Sequence, residues 1–139
     1  MERTFLVLGS LSGLIGVAAG AFGSHALRAK LPPERQAQFD IAVRYQLWHA
    51  LALFAVVFVS TLRFPADTGR TEVLVAIQDP AGWPATLAGW LFVAGTVLFP
   101  GSLYALAITG NRRWGGIAPF GGTCFILGWA ALVLAAATA

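Results

Sequence analysis

At 139 residues the chain has room for a single domain spanning 1–139, and with 58% hydrophobic residues, only 11% charged and a mean hydropathy of +0.74 it cannot wet its own surface. A soluble domain carries about 25% charged residues, so a soluble globule is excluded and the outer surface must face lipid. The net charge of +3 comes from nine basic residues scattered among short loops. With no basic stripe and no exposed aromatic platform, this excludes nucleic acid as a partner and fits loop Lys/Arg that orient a membrane protein.

The first apolar run, residues 4–22, is uncharged and close to the roughly 20 residues that a hydrocarbon core about 30 Å thick requires. Gly9, Gly13, Gly16, Gly20 and Gly23 fall four, three, four and three apart, which draws one bare stripe along a helix and predicts close helix packing. Ala19-Gly20-Ala21 resembles a signal-peptide cleavage site. However, the leader Met1-Glu2-Arg3-Thr4 is only weakly positive, and a discarded segment would have no use for the stripe, so a retained helix is expected.

His25, Arg28 and Lys30 follow, and Pro32-Pro33 ends any helix continuing from the first. Pro33 and Glu34 read as a new helix start, and residues 34–44 form a short amphipathic segment at the interface that bends or runs straight into the second helix. That helix is expected over 45–62, opening with Tyr45, Gln46, Trp48 and His49, whose aromatic members fit an interfacial belt. Residues 63–83 form the one long polar connection. The apolar run 73–77 inside it is too short to span and reads as an interfacial turn or a strand-like piece.

The third helix covers 84–109, with small residues every seven positions at Ala88, Gly95, Ser102 and Thr109. Pro100 inside it removes a backbone donor and predicts a kink. A tight basic turn through Arg112 and Arg113 leads to the fourth helix, 116–137, where Gly121, Cys124, Gly128, Ala131 and Ala135 make another small-residue seam. Gly9, Gly13, Gly16, Gly20, Gly95, Ser102, Gly121 and Gly128 are the expected helix-packing positions. The fold class is therefore all-α, a four-helix transmembrane bundle with a short amphipathic segment before the second helix. Arg28, Lys30, Arg35, Arg44, Arg112 and Arg113 fall on one side of the bundle and Arg3, Arg63 and Arg70 on the other. This puts the first and third loops in the cytoplasm and both termini outside, in a bacterial inner membrane.

Several segments resemble a known family: Gly20-Ala21-Phe22-Gly23-Ser24-His25-Ala26-Leu27, then Arg44-Tyr45-Gln46-Leu47-Trp48-His49-Ala50-Leu51-Ala52-Leu53, then Phe99-Pro100-Gly101-Ser102-Leu103-Tyr104, and finally Pro119-Phe120-Gly121-Gly122 with Gly128-Trp129. Together and in order they are similar to domain of unknown function 423, a family of small integral membrane proteins that includes relatives of eukaryotic transmembrane protein 256. Pro100, where a small residue is the norm, and the long 63–83 connection depart from the family pattern. The resemblance implies four transmembrane helices and brings no activity with it.

The polar chemistry gathers at the cytoplasmic ends of the first two helices. His25, Arg44, Tyr45, Gln46 and His49 form the candidate polar or lipid-binding site. Two histidines fall short of the three or four ligands a zinc site needs, so no metal and no cofactor are expected. The plainer reading has both histidines tying the loop to the helix ends through backbone or Asp40 hydrogen bonds. Arg44 could hold a lipid phosphate or Asp40, four residues earlier, or simply anchor the orientation. No Ser-His-acid set, paired carboxylates or phosphate loop is present, so no catalytic residues are assigned and the chain is expected not to be an enzyme. No Asp, Glu, Lys or Arg lies within the four expected spans, which counts against an ion-coupled carrier. The expected function is a non-catalytic module that binds membrane lipids or a protein partner, with a homo-oligomer among the partners considered. An oligomeric path for a small solute and a lipid-modifying enzyme are the alternatives.

Overall fold

The structure is a computed structural model and describes residues 1–62 and 82–138; the expected short element at 73–77 lies outside the described residues. Among the described residues four α-helices make up the fold: α1 (Glu2–Phe22), α2 (Pro33–Leu62), α3 (Gly82–Thr109) and α4 (Ala118–Ala137). A π turn, Gly23–Leu27, continues α1, and a 3₁₀ turn, Arg112–Gly116, precedes α4. All four are long and apolar enough to cross a membrane.

The amphipathic segment is the first third of α2, not a separate piece. Its buried residues Phe39 and Ala42 continue in steps of three and four through Gln46, His49, Leu53 and Val56. One unbroken seam therefore runs the helix's length, and no change of face calls for a bend. Pro33 sits in the first turn, where its missing N–H costs nothing, and Glu34 complements the helix dipole. A start at Tyr45, drawn from where the charge-free run begins, is thus corrected to Pro33, which also places Asp40 and Arg44 inside the helix.

α2 and α3 pack antiparallel at the centre, with α1 against α2 and α4 against α3. The two outer seams are built by glycines that let neighbouring side chains or backbone come close. A Cβ on Gly16 would stand 2.8 Å from Leu47, one on Gly20 3.2 Å from Val43, one on Gly23 2.7 Å from Phe39, and one on Gly9 3.1 Å from the Ala50 carbonyl. On the other side, Gly95 receives Phe125, Gly128 receives Phe92, and Gly121 lies against the backbone of Phe99 itself. Lipid is as apolar as leucine, so such close approach, and not hydrophobic transfer, holds membrane helices together. Gly13 is the exception, since a Cβ there would meet nothing within 4 Å.

Ser102 is buried and its hydroxyl bonds back to the Phe99 carbonyl at 2.9 Å. Pro100 is buried within α3, and the helix continues past it to Thr109. Gly110 closes α3 with φ +71°, its N–H reaching the Leu106 carbonyl at 2.8 Å, the left-handed stop that glycine adopts without strain.

Candidate functional site

The structure separates the polar residues expected to form one site. His25 is exposed in the π turn, two residues past Gly23, which faces Phe39. His49 lies ten residues further along α2 than Phe39, about 15 Å at the helical rise. His49 is thus in the middle of the bundle and not at a helix end, which corrects the expected pairing of the histidines. The physical cause is the antiparallel register: α2 begins at Pro33, so Tyr45 to His49 meet the middle of α1 and α3.

His49 is 4% exposed and fully engaged. Its Nδ1 donates to the Tyr45 carbonyl at 2.8 Å, a partner that can only accept. Nε2 then carries the lone pair and accepts from Trp129 Nε1–H at 3.3 Å. The ring stacks on Phe125 with centroids 3.4 Å apart and planes at 9°, and Phe92 closes against it at 5.6 Å. A second proton on Nε2 would face the indole donor, so this ring is built as a neutral tie between α2 and α4. It bonds to backbone, as the plainer reading had it, but one turn back on its own helix and not to a loop.

Tyr45 belongs to the same aromatic stack, 4.7 Å from Phe99 and 6.0 Å from His49. Gln46 faces the other way and joins three helices. Its Nε2 donates to the Ser12 carbonyl of α1 at 3.0 Å, and its Oε1 accepts from Tyr104 of α3 at 2.8 Å. Arg44 is exposed on the outer face of α2. Asp40, its expected partner, instead accepts from Gln36 Nε2 at 2.9 Å.

What the sequence did not disclose is a crevice of about 260 Å³ between α1 and α3, floored by α2. Leu8, Leu11, Ser12 and Ile15 line one wall, Val93, Thr96 and Val97 the other, with Gln46 and Leu53 beneath. Nearer the N-terminus of α1, Phe5 packs on Gly89 and edge-on to Trp90 at 5.6 Å. The crevice is apolar except for a polar floor and two buried hydroxyls, Ser12 Oγ and Thr96 Oγ1, that have no hydrogen-bond partner. Pro100 also deprives the Thr96 carbonyl of its ordinary helical donor. Of the residues expected to form the polar site, Gln46 lines this crevice. Neither Ser12 nor Thr96 stands out in a chain where most such hydroxyls simply bond back to their own helix. Among the described residues no three His, Cys, Asp or Glu side chains gather as a metal site would require.

Comparison with known proteins gives one family throughout. The family described as protein of unknown function (DUF423) matches residues 19–122. A UPF0382 membrane protein of Bacillus subtilis (strain 168) is 38% identical over 134 residues, covering 96% of each chain. One from Staphylococcus epidermidis (strain RP62A) is 38% identical over 133 residues, 96% of this chain and 94% of the relative. One from Staphylococcus aureus (strain RF122) is 36% identical over the same extent, again 96% and 94%. No solved structure matches.

Proposed function

The chain belongs to the DUF423 family, whose relatives are named membrane proteins, and from that premise we propose that it is a non-catalytic lipid-binding module of the bacterial inner membrane. The observation that carries this reading is the crevice between α1 and α3. Its walls are aliphatic, and it lies halfway along two spanning helices, where an acyl or prenyl chain is the available occupant. A cavity of roughly 150 Å³ lined by apolar side chains suffices for benzene, so about 260 Å³ accommodates a segment of lipid chain. Gln46 is held on both sides of its amide, which keeps the floor rigid while the walls stay apolar. Among the described residues that line it none is an acid, a histidine or a cysteine, which supports proposing the module as non-catalytic.

The same reading orients the protein with both termini outside the cytoplasm. Support comes from Arg35, whose guanidinium lies against Gly110. That contact gathers the start of α2 and the α3–α4 turn at one end, together with Arg112 and Arg113, as the charge rule requires.

The test is lipid retention by the purified full chain, read by native mass spectrometry, with Val93→Trp filling the crevice. Wild type should keep a lipid through detergent exchange, and the filled variant should lose it while melting at a similar temperature. Equal retention by both would refute the reading. Solute flux into vesicles carrying the protein, above that of empty vesicles, would replace it with transport.

A further inference from the structure

We infer that Arg44 is the phosphate-binding residue of a second lipid site, on the opposite face of α2 from the crevice, selective for an anionic phospholipid. Depth comes first. Across the α1–α2 seam, Val43 stands against Gly20; across the α2–α3 seam, Tyr45 stands against Phe99; and Phe99 lies on Gly121 of α4. Arg44 is therefore level with Gly20, Phe99 and Gly121, all inside spanning segments. The nearest charge beyond Gly20 is Arg28 and beyond Gly121 is Arg113, each eight residues or about 12 Å away along the chain axis. Arg35, on Arg44's own helix, is nine residues earlier, about 13 Å. The guanidinium thus originates well inside the level of Arg28, Arg35 and Arg113.

Its surroundings are apolar and outward-facing. Ile41, Trp48 and Leu51, at three before, four after and seven after, are 37%, 53% and 66% exposed on the same face. Asp40, the carboxylate one turn away, is bonded to Gln36, and among the described residues no ion pair involves Arg44. An arginine so placed lays its aliphatic stem along the helix and brings its head up to the headgroup layer. There a phosphodiester offers the two acceptor oxygens that a guanidinium fork matches. Trp48, one turn deeper, supplies a flat apolar surface beside the glycerol and upper acyl region. A guanidinium with no carboxylate bonded to it among the described residues is free for the phosphodiester, and favours a headgroup with net negative charge over a zwitterion, whose own ammonium would be left facing it.

The experiment compares phosphatidylglycerol with phosphatidylcholine binding to the full chain by native mass spectrometry, alongside the rise in melting temperature each lipid causes. Wild type should prefer phosphatidylglycerol. Arg44→Gln should cut that preference about fivefold, the factor matching about 1 kcal/mol per basic residue near an anionic surface. Arg44→Lys should keep most of it, and Arg113→Gln should change it little. Inorganic phosphate should fail to displace the lipid; displacement would overturn the lipid assignment in favour of a free-phosphate site. An unchanged preference in Arg44→Gln, or an equal loss in Arg113→Gln, would overturn the proposal by showing only a diffuse positive field. Should Arg44→Gln not fold, wild type without a phosphatidylglycerol preference overturns it equally, and a preference reduced but not abolished by Arg44→Lys supports it. Because Val93→Trp leaves Arg44 untouched, loss of crevice lipid and loss of this preference are separable.

Discussion

Gln46 is the polar link on which the α1–α2–α3 half of the bundle depends, and a double-mutant cycle with Tyr104 measures it. Tyr104→Phe removes the 2.8 Å bond to Gln46 Oε1 and leaves the remaining rings, including the Phe39 contact at 4.9 Å, in place. Gln46→Leu removes that bond and the 3.0 Å bond to the Ser12 carbonyl together, at a site only 5% exposed. Hydrogen bonds between membrane helices average about 0.6 kcal/mol and reach about 1.7, while a buried polar group left without a partner costs about 1–3 kcal/mol. Tyr104→Phe should therefore destabilise by about 1 kcal/mol and Gln46→Leu by about 2 kcal/mol. The double variant should fall short of the sum, with a coupling of about 0.6–1.7 kcal/mol. Reversible unfolding of the purified protein in mixed micelles, titrated with a denaturing detergent, reads all four corners of the cycle. Additivity within about 0.3 kcal/mol would refute the link, since uncoupled sites add to that precision.

The glycine seams make a paired prediction. Gly121→Ala forces a Cβ to within 2.8 Å of the Phe99 Cα, a backbone atom that cannot rotate away, and should cost about 1–3 kcal/mol. Gly13→Ala meets open space and should be neutral or gain up to about 1 kcal/mol from helix propensity. Equal effects in the unfolding assay would refute an intrachain seam. His49→Phe keeps a ring on Phe125 but loses the bonds to Tyr45 and Trp129, so it should destabilise by about 1–3 kcal/mol. It should also shift Trp129 emission. His49→Ala, which opens a cavity as well, should cost more, and a His49→Phe protein as stable as wild type would show that the ring's nitrogens do not tie α2 to α4.

Much of the fold was legible because membrane insertion imposes local rules. Charge-free runs long enough to span mark the four helices, and the recurrence of Gly9, Gly16, Gly20 and Gly23, then of Gly95, Gly121 and Gly128, marks where backbones meet. The same reasoning misled wherever charge stood in for structure. Arg44 and Asp40 cut the expected second helix short, although Phe39 and Ala42 carry its buried face unbroken back to Pro33. It also placed Gly13 in a seam, although a Cβ there would meet nothing within 4 Å.

By itself the sequence determined that this chain lives in lipid, crosses it with four helices and packs those helices through small residues, since hydropathy and glycine spacing are properties of single segments. Only the tertiary structure decided which polar groups meet. Leu47 entering at Gly16 and Phe39 at Gly23 slide α2 along α1 until Gln46 reaches Ser12, while Phe125 at Gly95 and Phe92 at Gly128 bring Trp129 to His49. That register is a property of pairs of helices. It takes His49 away from His25, opens a crevice between α1 and α3, and leaves Arg44 exposed on the outer face of α2.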